Sequence, residues 1–310
     1  MSYEEIIEIA YKEHSKINNQ PDVKYCVNIY EDDSCTISNL SLPTRKKLFK
    51  KLINAHSIYF EKTEIYDISI FKNLYKVGLC SMSVTDLDIS KLTNVQDLCL
   101  QLCPYIHNIS YLKNLCKFSL LFNDNVSDLS NISHVKNICL YNCSNIQNFR
   151  PIKNVRELQL RDVGRVNFSF FTKLKYLTLH GDYSNYLNVK YLQNLKILAL
   201  INISNIDFKD VLNSVSCDML RIINCNITNY DISELTSEKI RHLSFCKCEN
   251  ITKMPIFDNI EELTINNCRN LSDVSNLNSS PNLKIINITE SKKWNESSLS
   301  NIENVNIFNY

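Results

Sequence analysis

Glycine is almost missing from this chain. Gly78, Gly164 and Gly181 are the only three in 310 residues, where average usage would supply roughly 20. The shortage excludes a P-loop and a dinucleotide-binding fingerprint, because both need clustered glycines to bring backbone N–H groups onto phosphate. An excess of charge is missing too: 34 Lys and Arg face 33 Asp and Glu, for a net charge of +1. Nucleic acid is therefore not an expected partner, since phosphate binding normally shows as a basic excess. No apolar run approaches the ~18 residues of a membrane span, so no membrane partner is expected. The first residues, Met1 to Glu8, are acidic and lack an apolar core, so they do not read as an export signal.

What the chain does have is cysteine, thirteen residues, an odd number. Without export, a disulfide framework has no oxidising compartment to form in. The cysteines are expected to be reduced, small, buried hydrophobes in an intracellular, cytoplasmic protein. Sequons such as Asn108-Ile-Ser and Asn226-Ile-Thr then carry no glycan.

A repeat dominates the rest. From Val95 the apolar positions run Leu98, Leu100, Cys103, Ile106, Ile109, Leu112 and Leu115. The next unit copies those spacings as Leu115, Phe118, Leu120, Asn123, Val126, Leu129, Ile132 and Val135. The third runs Val135, Ile138, Leu140, Cys143, Ile146, Phe149, Ile152 and Val155. Looser copies extend from Ala55-Ile58-Phe60 to Leu283-Ile286-Ile288, giving about twelve units. A period near twenty means a solenoid. Leu-x-Leu is strand spacing, with both leucines on one face, and the steps of three that follow suit extended or 3-10 segments. One unit cannot bury its own apolar face, so stability comes from stacking.

The pattern L-x-x-L-x-L-x-x-(N/C) resembles the leucine-rich repeat family, with short units most similar to the internalin-type and phosphatase-regulator-type subclasses. The resemblance implies an α/β leucine-rich repeat solenoid: about twelve short parallel strands on a concave sheet, an irregular or 3-10 convex side, and a capped N-terminus. It departs from the family where asparagine is usual. Thr63, Met82, Cys103, Asn123, Cys143, Val163, Asp182, Ile203, Cys225, Cys248, Cys268 and Ser291 stand there. A regular asparagine ladder is not expected, and some turns must satisfy their backbone groups another way. The Asn-, Ile- and Lys-rich wording also resembles the leucine-rich repeat gene families of insect poxviruses.

The organisation reads as an N-terminal helical cap over 1–54 and a solenoid over 55–310 that includes a C-terminal cap near Trp294. Helices are expected over 3–16 and 44–54. Helical spacing recurs at Asp207 to Leu212, with Asp207 as N-cap, and Asp231 to Glu234 resembles a capping box. Leu42-Pro43 with Leu48 and Leu52 faintly resembles the start of an F-box, which would make the chain a ubiquitin-ligase substrate receptor. The basic run from Arg45 to Lys51 reads as a solvated helix face.

Chemistry-bearing clusters do not emerge. Cys225, Cys248 and Cys268 follow the repeat and not zinc spacing, so no metal and no cofactor is expected. His180 and His242 are outward strand positions three units apart, and no enzyme activity is expected. Function in a solenoid lies on its displayed surface. Reading the residues just past each Leu-x-Leu places Leu102, Leu121, Phe122 and Tyr141 outward, with Arg161, Tyr176 and His180 beside them. An apolar, aromatic patch with a polar rim is the form of a protein-binding site. The expected role is a non-enzymatic, monomeric scaffold for a protein partner.

Overall fold

The computed structural model describes strands at 26–29 and 34–38, then residues 55–61, 68, 71, 73–82, 89–106, 109–181, 188–204, 206–233, 235, 238–289 and 299–308. Two compact units divide the chain, Met1–Ile152 and Lys153–Tyr310.

The first unit holds β1 (Cys26–Ile29), β2 (Ser34–Ser38), β3 (Ser57–Glu61), β4 (Lys76–Cys80), β5 (Asp97–Gln101), β6 (Lys117–Leu121) and β7 (Asn137–Tyr141). β1 and β2 form an antiparallel pair, and every later neighbour is parallel, in sequence order. The second unit holds β8 (Glu157–Arg161), β9 (Tyr176–His180), β10 (Ile197–Ile201), β11 (Met219–Ile223), β12 (His242–Cys246), β13 (Glu262–Asn266), β14 (Ile285–Thr289) and β15 (Asn304–Phe308). All of these neighbours pair in parallel, again in sequence order. Each unit is a leucine-rich repeat solenoid.

Strand burial follows side-chain alternation. β5, β7, β8, β12, β13 and β14 share one pattern, with the second and fourth residues buried and the first, third and fifth half-buried. Leu98, Leu100, Leu120 and Leu140 are at most 1% exposed. The steps of three after each strand become 3-10 turns at Ser130–Ile132, Arg150–Ile152, Phe168–Phe170, Val189–Tyr191 and Ser275–Ser279. Each inserts a buried apolar residue such as Ile132 or Phe168.

Three expectations change. The 1–54 segment, read as helical, contains the two strands β1 and β2; the helices expected over 3–16 and 44–54, with the basic run and the F-box-like stretch, lie outside the described residues. The last repeat strand, β15, had no counterpart in the reading; the Trp294 segment proposed as a cap also lies outside the described residues. α1 (Phe208–Ser214) does form on its Asp207 cap, whose Oδ1 accepts from Asp210 N at 3.0 Å. α2 (Asn229–Ser233) starts earlier than read. Its box is Thr228 with Asp231: Asp231 Oδ2 accepts from Thr228 N and Oγ1, both at 2.7 Å.

The missing asparagine ladder is replaced by thiols. Cys103 Sγ donates to Leu79 O and Gln101 O, each at 3.2 Å. Cys143 reaches Leu120 O and Tyr141 O, Cys225 reaches Leu200 O and Ile223 O, and Cys248 reaches Ile222 O and Cys246 O. Asn123 keeps the amide version, donating to Leu100 O at 3.1 Å and Leu121 O at 2.9 Å while accepting from Cys103 N at 2.6 Å. The asparagines have moved two residues on. Asn145 donates to Asp124 O at 2.7 Å and Asn270 to Glu249 O at 2.9 Å, each one unit back.

Eleven described cysteines are free, with Cys116 exposed and Cys103, Cys143, Cys217, Cys225, Cys248 and Cys268 among the buried. Burial pushes the Cys99 and Cys217 thiols from 9.0 up to about 12, and Cys143 to about 11. The thiolate is the reactive form. At pH 8 in native buffer, Cys116 should therefore react first with Ellman's reagent, and Cys99, Cys143 and Cys217 at least about tenfold more slowly. An unfolded chain sheds these protons near pH 9, whereas the folded thiols hold them to about 11 or 12. Their contribution to stability is complete below pH 9 and is lost as pH climbs toward 12. Urea midpoints that rise over this interval would contradict the burial assignment.

Candidate functional site

The site builds from the ends of the strands. In the first unit Gln101 is in register with Leu121, and Leu121 with Tyr141. Their side chains are half-buried on the outward sheet face. The residue after each strand turns into the left-handed backbone region: Ser81, Leu102, Phe122 and Asn142 have φ of 52°, 51°, 56° and 53°. The turn lets each backbone continue the ladder, with Leu102 N donating to Leu121 O at 3.0 Å and Phe122 N to Tyr141 O at 2.8 Å.

Most residues at this position suit the geometry. The second unit uses Asp162, Gly181, Asn202, Asn224, Lys247 and Asn267, mostly types whose short polar side chains tolerate it. At Gly181, φ is 98° and an added Cβ would meet Asp162 Oδ1 at 2.5 Å. Leu102 and Phe122 do not suit it. A bulky residue there costs roughly 1 kcal/mol or more, yet both side chains are 46% exposed. They are held in an unfavourable backbone state without being buried in return. The sequence reading placed both residues outward but missed the strain, because φ depends on where the next strand's carbonyl lies.

Close by, Tyr59 explains Gly78. The Tyr59 ring covers Gly78 so closely that a Cβ would lie 1.9 Å from its Cδ2, and the hydroxyl donates to Gln101 Oε1 at 3.3 Å. Burial, then the neighbouring Cys80, raises the phenol's pKa well above its usual value.

In the second unit, Arg161 and His180 are in register at the ends of β8 and β9. Tyr176 is not with them. It begins β9, in register with Glu157 and Ile197, at the opposite end of the strand. Arg161 Nε lies 3.3 Å from Asp162 Oδ2. His180 Nε2 is 3.0 Å from Asn202 Nδ2, and Asn202 Oδ1 accepts from Asn224 Nδ2 at 2.7 Å. An amide nitrogen only donates, so His180 Nε2 accepts from Asn202 Nδ2 and the neutral ring's proton sits on Nδ1, which is buried without a hydrogen-bond partner among the described residues. Burial, then the Arg161 charge, holds the imidazole below its usual pKa. Three strands away His242 Nδ1 meets Glu262 Oε2 at 3.1 Å, a pair one register step apart that reading histidines alone did not find. Among the described residues, no cluster of three His, Cys, Asp or Glu side chains could hold a metal. No described helix is long and apolar enough to cross a membrane.

No family model and no curated protein matches the chain. Solved structures similar to it include an internalin of Listeria monocytogenes, InlF, 20% identical over 88% of this chain and 86% of that one, with a TM-score of 0.47. The InlJ functional domain of the same organism, described as including a cysteine ladder, is 14% identical over 87% of this chain and 66% of that one, TM-score 0.48. A leucine-rich repeat protein of Leptospira interrogans is 14% identical over 87% of both chains, TM-score 0.46. The poxvirus likeness gains no support from these. The fold rests on the chain's own register and burial.

Proposed function

We propose that the chain is a non-enzymatic scaffold that binds a protein partner through the outward sheet face of its first unit, anchored by Leu102, Leu121, Phe122 and Tyr141. One observation carries this reading: two successive repeats hold exposed Leu102 and Phe122 at left-handed positions where Ser81 and Asn142 flank them. Strain at an exposed apolar side chain is the signature of a residue kept for contact with something outside the fold. Apolar and aromatic anchors of this kind carry most of an interface's energy. The ladder thiols, which donate only when reduced, support an intracellular setting. Nothing in the described residues favours the ubiquitin-ligase reading, whose adaptor segment lies outside them.

The test is the double variant Leu102→Asn with Phe122→Asn, which installs the side chain found at Asn142, Asn202, Asn224 and Asn267. Relief of strain should offset the lost partial burial, leaving stability within about 1 kcal/mol of the parent. Proteins captured by the tagged parent from its natural cell should be lost by the variant. Retained capture would move the anchor elsewhere. A loss of stability above about 2 kcal/mol would make the two side chains part of the core.

A further inference from the structure

The outward face has three positions per strand: the first, the middle and the fifth residue. From β3 to β15 the middle residue is uncharged in every strand but one: β11 has Arg221. In register with it are Ala199 on one side and Ser244 on the other, with Thr264 one strand further. On the Ser244 side lies a hollow of about 340 Å³ lined by Met219, Arg221, Ile223, Ser244, Glu262 and Thr264, among others.

Arg221 is exposed, and its Nε donates only to Met219 Sδ, at 3.2 Å. No carboxylate among the described residues forms an ion pair with it. Glu262, across the hollow, is already engaged: Oε2 meets His242 and Oε1 accepts from Asn287 Nδ2 at 3.3 Å. Asn287 is in turn braced by Asn306, whose Nδ2 donates to its Oδ1 at 3.0 Å. Both Glu262 carboxylate oxygens thus have partners other than Arg221.

We infer that this hollow is a second binding site, for the carboxylate side chain of an acidic peptide segment, with Arg221 as its charge partner. A guanidinium presents paired N–H donors that match a carboxylate. The Ser244 and Thr264 hydroxyls supply further donors, and Met219 and Ile223 flank the site with apolar surface suited to the methylenes of Glu. The Glu262 charge lines the same hollow and repels any anion, a phosphate dianion about twice as strongly as a single carboxylate, and no glycine-rich backbone nest faces the site among the described residues, so phosphate fits less well. The site uses none of the residues of the first unit's anchor and stands or falls without it.

The test titrates the full, ¹⁵N-labelled chain with the peptide acetyl-Ala-Ala-Glu-Ala-Ala-amide, following the Arg221 Nε–H resonance, which Arg221→Ala identifies by its absence. A saturable shift with a dissociation constant near about 1 mM is expected, at least fivefold weaker with Gln in place of Glu, and weakened by added salt. Ser244→Leu, which fills the hollow but keeps the arginine, should abolish it while the chain melts like the parent. Three results would overturn the inference: equal binding of the Gln peptide, no shift at about 5 mM peptide, or tighter binding of inorganic phosphate than of the Glu peptide. The last would make the hollow a phosphate site.

Discussion

Asn123→Ala should cost about 3 kcal/mol or more in a urea melt. The side chain is 3% exposed and makes three hydrogen bonds: it accepts from Cys103 N and donates to Leu100 O and Leu121 O. Alanine leaves the Cys103 N–H without its partner, at roughly 1–3 kcal/mol, and takes one donor each from Leu100 O and from Leu121 O, which still accepts from Leu102 N, at about 1 kcal/mol per lost bond. Asn123→Cys should recover about half of the loss. A thiol can donate to the same carbonyls, as Cys103 and Cys143 do, but it is a poor acceptor for Cys103 N. An alanine variant within about 1 kcal/mol of the parent would mean that water replaces the amide, and that the turn at Asn123 is more open than its burial shows.

Leu140→Ala should cost roughly 2–5 kcal/mol. Leu140 is fully buried, in register with Leu120 on the adjacent strand, which is buried as well. Cutting its isobutyl side chain back to a methyl opens a cavity between stacked repeats that relax only partly, because each repeat packs chiefly on its neighbours. Cys139→Ala, one residue away on the outward face, is the control and should stay within about 0.5 kcal/mol. A Leu140→Ala change that small would place Leu140 outside the core and invert the strand's two faces.

Much of the fold was legible because it is written in local periods. Leu98-x-Leu100 alternates with a period of two, so the buried and outward faces of β5 follow from the side chains alone. The spacing of Ile106, Ile109 and Leu112 likewise ruled out a long helix. The candidate anchor was half legible. Leu121 and Tyr141 were correctly read as neighbours, since they occupy the same phase of successive units. Tyr176 was grouped with them, although it starts its strand and they end theirs. Arg221 was passed over because only the residue beyond each Leu-x-Leu was read, and Leu220-Arg221-Ile222 carries its charge between the two. Strands β1 and β2 offered no Leu-x-Leu signal, and their first partner is each other.

By itself, then, the order of residues determined the repeat, its phase, which side chains enter the core, and the need for some substitute at the ladder position. Those are properties of one unit and its neighbours in sequence. Only the tertiary structure decided that Cys103 and its counterparts are the substitute, that Leu102 and Phe122 sit at positive φ, that Tyr59 lies over Gly78, and that Arg221 faces a hollow whose carboxylate, Glu262, is engaged by His242 and Asn287. Each of these depends on what the next repeat presents about 4.8 Å away across the sheet. That neighbour is some twenty residues distant in the chain, beyond the reach of any local pattern.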